Sequence, residues 1–158
     1  MKPTFNFNSA IFPDGLSQCA SLAGQTFDFL MTLIPENSPY TLLATGGLGR
    51  GEQGIYSDID LLFLIRDREG ELGAMELLKK LWDQDCKVGY SVRPLSNVWD
   101  HAREDITFFT TLIFTRLITG NSQEYQEFLN ARKVFFEKNR GFFFTQIYPE
   151  LKTLSLSH

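Results

Sequence analysis

The segment Asp58-Ile59-Asp60-Leu61-Leu62-Phe63-Leu64-Ile65 constrains this chain more than any other stretch. After its two acids it is apolar at every position, so a strand built from it needs cover on both faces. Strands of that kind lie inside a sheet flanked by other elements. Just upstream, Gly46-Gly47-Leu48-Gly49-Arg50-Gly51-Glu52 follows the short apolar run Thr41-Leu42-Leu43-Ala44-Thr45, which reads as a second buried strand. A glycine-rich turn and a carboxylate pair thus lie within fifteen residues of each other.

Each half of that pairing has a definite chemistry. Glycines at 46, 47 and 49 let the chain turn tightly and bring backbone N–H groups close to an anion, with phosphate the natural guest. Asp58 and Asp60 sit two apart on a strand, so both carboxylates leave the same face. They repel unless a cation lies between them, and magnesium, a hard ion that prefers carboxylate oxygens and shares phosphate ligands, suits the role. Arg50 in the loop could grip phosphate or pair with Glu52; Ser57 could orient the loop or donate to a phosphate. The catalytic and metal-binding residues expected are Asp58 and Asp60, with Gly46, Gly47, Gly49, Arg50 and Ser57 as nucleotide contacts.

Composition excludes several rivals. A formal charge of −4 over 158 residues argues against a general nucleic-acid binder. Cys19 and Cys86 stand far apart and form no thiolate metal motif, and His101 and His158 are the only histidines, too few for a histidine-built hydrolase or zinc site. No targeting signal is read at the start, and Ile106 to Thr115 is about half the ~20 residues that a membrane span needs. The expectation is a cytoplasmic protein that engages neither membrane nor nucleic acid.

The remaining pattern sets the layout. Leu16, Cys19, Ala23, Phe27, Leu30 and Ile34 recur at helical spacing up to Pro35. Leu72, Met75, Leu78 and Trp82 stripe a second helix, expected to pack on the sheet, with Glu76, Lys79, Lys80 and Asp83 opposite. Lys87 to Arg93 reads as a third strand ended by Pro94, and Ser96 or Asn97 can cap a short helix. Only one end of that strand, Lys87 or Arg93, can lie near the acids. Beyond it the chain reads as helical, with Ile106, Phe109, Ile113 and Leu117 on one face, Gly120 as a stop, and breaks near Gly141 and Pro149. Of fifteen phenylalanines, nine follow residue 104, an aromatic load that must be buried in helical packing, a partner or further sequence.

The string from Gly46 to Glu52 followed by Ser57-Asp58-Ile59-Asp60-Leu61 resembles the signature of the polymerase-β-like nucleotidyltransferase superfamily. Within it, the chain most resembles the N-terminal nucleotidyltransferase domain of the PII-protein uridylyltransferase/uridylyl-removing enzymes. Leu81-Trp82-Asp83, Val88-Gly89-Tyr90-Ser91-Val92-Arg93, Ala102-Arg103-Glu104-Asp105-Ile106 and Leu117-Ile118-Thr119-Gly120 follow that family's order, with Tyr90 where those enzymes usually carry histidine. The resemblance covers roughly residues 40 to 135. It implies that Gly46 and Gly47 hold phosphates and that Asp58 and Asp60 bind magnesium. It further implies attack on the α-phosphorus of a nucleoside triphosphate, UTP or ATP, by a hydroxyl of a PII-type acceptor protein.

Two departures stand out. Many superfamily members place a third carboxylate on the next strand, and Val88 to Val92 has none; Gly89 stands where the related glutamine synthetase adenylyltransferases carry it. Asp60 is left as the carboxylate to serve as base. The hydrolase and ligand-sensing domains of the uridylyltransferases also have no counterpart here, which fits a domain of a longer protein or a short relative. The expected fold is α+β, a small mixed β-sheet flanked by helices, with residues 1–103 as nucleotidyltransferase domain. Residues 104–158 are expected as a helical extension, the start of a truncated substrate-binding domain. The expected activity is magnesium-dependent transfer of UMP from UTP to a protein hydroxyl. Its rivals are a small-molecule acceptor and a catalytically inactive nucleotide-binding module.

Overall fold

A computed structural model describes residues 15–142 and residue 145. The chain divides into two compact units, residues 1–122 and 123–158. In the first, four strands form one mixed sheet in the order β3-β2-β1-β4. β1 (Thr41–Ala44) and β2 (Ile59–Ile65) are its centre, paired antiparallel with Leu42 opposite Phe63. Both are buried along nearly their whole length, as consecutive apolar residues require. β3 (Val88–Pro94) runs parallel to β2, with Asp60 opposite Gly89, and β4 (Arg116–Thr119) pairs antiparallel with β1. The sheet is flanked by helices, so the mixed α/β architecture is that expected.

Strand alternation sorts the core into two layers. Leu42, Ala44, Ile59, Leu61 and Phe63 face α1 (Gly15–Leu33) and α3 (Arg68–Asp83), meeting Ala23, Leu30, Ala74, Leu77, Leu78 and Leu81. Leu43, Leu62 and Leu64 point the other way, and Leu62 shares a cleft with Phe108 of α5 (Ile106–Thr111). α4 (Val98–Glu104) precedes α5 and buries Val98 and Ala102. Asp67 caps α3 by accepting from Gly70 N at 2.9 Å, and Asp105 caps α5 by accepting from Thr107 and Phe108.

Three local expectations are corrected. The glycine run is a short helix, α2 (Gly46–Arg50), rather than an open loop. α3 docks on Gly70, Ala74, Leu77, Leu78 and Leu81, whereas Leu72, Met75 and Trp82 are 53%, 41% and 43% exposed. Small side chains let this helix approach closely, and that rotates the larger ones outward. Leu117 lies on β4 rather than on a helix with Ile106, because α5 ends at Thr111 and the chain returns to the edge of β1.

In the second unit, α6 (Ser122–Lys138) and α7 (Arg140–Phe142) are helical as read, and Phe128 and Phe135 are buried. Phe143, Phe144 and the break at Pro149 lie outside the described residues. Among the described residues no helix is long and apolar enough to cross a membrane.

Candidate active site

β1 delivers the chain to the site and β2 carries it away. Thr45 N donates to Asp60 O at 3.0 Å, closing the sheet at the point where α2 begins. Thr45 is the N-cap of α2 in an extended conformation, with no side-chain cap. The first-turn N–H groups, those of Gly46 and Gly47 included, therefore have no acceptor within the helix.

The glycines do different work. Gly46 has φ +56°, and a Cβ there would stand 2.7 Å from Asp60 Oδ2. Gly89, across the β2–β3 pairing, is bare on the other side of the same carboxylate: a Cβ there would strike Asp60 Oδ1. Asp60 thus lies in a slot that exists because two neighbours lack side chains. Gly49 is small for packing, since its Cβ would meet Phe114 O at 2.5 Å and Ala44 O at 2.8 Å.

Asp58 is exposed just ahead of β2 and Asp60 is half-buried within it. Burial pushes the Asp60 carboxyl above the ordinary aspartate range and the Asp58 charge pushes it further, while Arg50 pulls it back. Two carboxylates whose charges oppose each other, one in a slot cleared of side chains, fit a divalent cation held between them. Asp60 borders an open cleft of about 240 Å³ together with Thr45, Gly46, Gly89, Ser91, Phe108 and Thr111.

The remaining expected contacts are placed as follows. Arg50 pairs with Glu52 at 3.2 Å and lies 6.0 Å from the Phe114 ring centroid, with its charge still felt at Asp60. Ser57 Oγ accepts from Gly54 N at 3.1 Å, so it shapes the loop rather than facing the cleft through that bond. The β2–β3 register puts Lys87 beside Asp58 and Arg93 beside Leu64, which identifies Lys87 as the cation at the acidic end. Arg93 instead meets His101 Nε2 at 2.9 Å and lies over the Phe108 ring.

Gln53 escaped the sequence reading. It is 4% exposed, and its Nε2 donates to the carbonyls of Ser57 at 3.2 Å and Asp58 at 3.3 Å. One amide therefore fixes the backbone that presents Asp58. Nothing in the sequence signals this, because glutamine after a charged turn is ordinary surface composition. Ser91 was also passed over, although once Gly89 is placed beside Asp60, strand alternation puts Ser91 on the same face.

No protein-family model matches the chain. Among curated proteins, the bifunctional uridylyltransferase/uridylyl-removing enzyme of Azotobacter vinelandii is 36% identical over 134 residues, 81% of this chain. The enzymes of the same name from Pseudoalteromonas translucida and Pseudomonas putida are 40% identical over 92 residues and 43% over 93. Those enzymes are its homologues. The chain spans between 10 and 14% of their length. Among solved structures, a crystal structure of a toxin-antitoxin with AMP-PNP aligns at TM-score 0.42 and 16% identity, over 76% of this chain and 94% of that one. That likeness is too loose to speak to function.

Proposed function

We propose that this chain is a nucleotidyltransferase domain that moves UMP from UTP, in a magnesium-dependent reaction, to a hydroxyl of a PII-type acceptor protein. The observation that carries the reading is the Asp60 slot: a carboxylate between two side-chain-free positions, beside a second acid and next to the first turn of α2. The name shared by the homologues supports uridylyl as the group moved.

Asp58 and Asp60 would hold magnesium, which when bound supplies positive charge to the phosphate oxygens as pyrophosphate departs. Gly46 and Gly47 would offer their backbone N–H groups to those oxygens, and Arg50 and Lys87 add positive charge to the approach. The acceptor oxygen forms a bond to the α-phosphorus, and the bond from that phosphorus to the bridging oxygen breaks. Pyrophosphate leaves with the electron pair. Asp60, the carboxylate held in the slot, is the proposed acceptor of the hydroxyl proton. The helical part of residues 104–158 that follows β4 is proposed as the start of a domain that helps to hold nucleotide or acceptor.

A second reading, an inactive nucleotide-binding module, has one observation in its favour. Among the described residues no cluster of three acids, histidines or cysteines could hold a metal, and Gly89 occupies the position facing Asp60. Labelled UTP, magnesium and a PII-type acceptor decide between them. Label should reach the acceptor and vanish with Asp58→Asn; nucleotide binding without labelling would favour the module.

A further inference from the structure

β3 is the edge strand of the sheet at the end opposite β4. Among the described residues no strand pairs with its outer side. Ile59 N donates to Lys87 O, and Leu95 N donates to Ile65 O, both at 2.9 Å. Backbone groups alternate along a strand, so the odd-numbered residues of β3 bond to β2 while Val88, Tyr90 and Val92 turn their N–H and C=O outward. From Val88 to Val92 there is no charge and no proline, the usual means by which an edge is blunted, and Arg93 and Pro94 blunt only the last two positions of the strand.

The edge also borders the proposed site. On the Asp60 face, Gly89 is the β3 residue next to Asp60, and it has no side chain. A side chain on an added strand could pass over it toward that carboxylate, about two strand spacings away. On the opposite face, Trp82 and Tyr90 make an edge-to-face pair with centroids 5.8 Å apart, 43% and 46% exposed, a surface for the alternate side chains of such a strand.

We infer that the outer edge of β3 takes up an extended, hydroxyl-bearing segment of the acceptor protein as a fifth strand, with the hydroxyl residue opposite Gly89. This rests on the proposed transfer to a protein hydroxyl. A second copy of the chain is the poorer occupant. The antiparallel register that uses Val88, Tyr90 and Val92 on both copies sets Lys87 opposite Arg93, and like charges directly opposite are destabilising. A partner strand with an acidic residue beside Lys87 complements the edge instead. Strand addition would draw affinity from main-chain bonds and specificity from alternate side chains.

The test is amide hydrogen exchange of the full chain with a purified PII-type protein and UTP, alongside labelling kinetics. The expected result is slowed exchange at Val88, Tyr90 and Val92, with the neighbouring amides bonded to β2 unchanged. Val92→Pro, which deletes one outward donor and spares the bonds to β2, should raise the acceptor KM about fivefold to tenfold with the UTP KM unchanged. Val92→Ala, which keeps the donor, should not. Labelling without protection of the three amides overturns the strand-addition model and leaves the transfer reading standing. No labelling removes both. If Val92→Pro does not fold, the exchange pattern of the unsubstituted chain still decides.

Discussion

Gly89→Ala should separate the stability of the fold from the function of Asp60. The added methyl group meets a single obstacle, Asp60 Oδ1, the free end of a side chain rather than backbone. The carboxylate can therefore rotate away, at about 0.5–1.5 kcal/mol for a strained rotamer. Against this, replacing glycine by alanine at a compatible backbone position stabilises by about 0.4–1 kcal/mol through the unfolded chain. The two nearly offset, so calorimetry should show a Tm within a few degrees of the unsubstituted protein. The displaced carboxylate no longer fills its slot, and disturbing a metal ligand's support typically lowers affinity about 10–100-fold. Magnesium or manganese titration should report that loss, together with a matching fall in labelling. Gly46→Ala is the contrast: besides meeting Asp60 Oδ2 at 2.7 Å it forces an L side chain to φ +56°, a further cost of about 1–2 kcal/mol. It should lose both stability and metal. If Gly89→Ala bound magnesium as tightly as the parent, the slot would not be what holds Asp60 for the metal.

Three further outcomes follow from the same geometry. Because the folded-state pKa of Asp60 is raised, folding takes up protons between the unfolded value of 3.8 and the higher folded one, so its charge costs stability above its folded pKa and costs nothing below 3.8. Without metal, Asp60→Asn should therefore melt higher than the parent at pH 7, the gap closing as pH falls toward 3.8; a lower Tm at pH 7 would contradict the assigned cause. Gln53→Leu should cost about 1–2 kcal/mol in denaturant unfolding and weaken magnesium binding, since the Asp58 backbone loses its anchor; unchanged metal affinity would limit Gln53 to the fold. The Tyr40 hydroxyl is buried without a hydrogen-bond partner among the described residues, and its pKa is pushed up to about 12, first by burial and then by Glu76. Tyr40→Phe removes that unpaired group while keeping the edge-to-face contact with Phe63, and should stabilise by about 1 kcal/mol; a clear drop in Tm would mean the hydroxyl has a partner.

Much of the fold was legible because its signals are local. Consecutive apolar residues marked β1 and β2 as buried strands, helical spacing marked α1 and α3, and the glycine run beside Asp58 and Asp60 marked where backbone and carboxylates would meet. The errors came where one pattern fitted two geometries. Leu117 continues the spacing of Ile106 and Phe109, but a strand wins because it pairs with the edge of buried β1, whose backbone groups a longer α5 would leave without partners. Leu72, Met75 and Trp82 look like an inward stripe, yet the tighter approach allowed by Gly70 and Ala74 sets the rotation of α3.

By itself, the sequence determined that two carboxylates would stand two residues apart at the start of a buried strand and close to a glycine turn, since residue spacing and chain reach require it. Only the tertiary structure decided the register of β3 against β2, for nothing local in Val88 to Arg93 says which residue stands opposite Asp60. That register makes Gly89 the second wall of the slot, puts Lys87 beside Asp58, and turns Val88, Tyr90 and Val92 to the open edge. The amide of Gln53 is of the same kind. Its role comes from folding a loop back onto two carbonyls, an arrangement fixed by contacts between residues several positions apart rather than by any preference written in one of them.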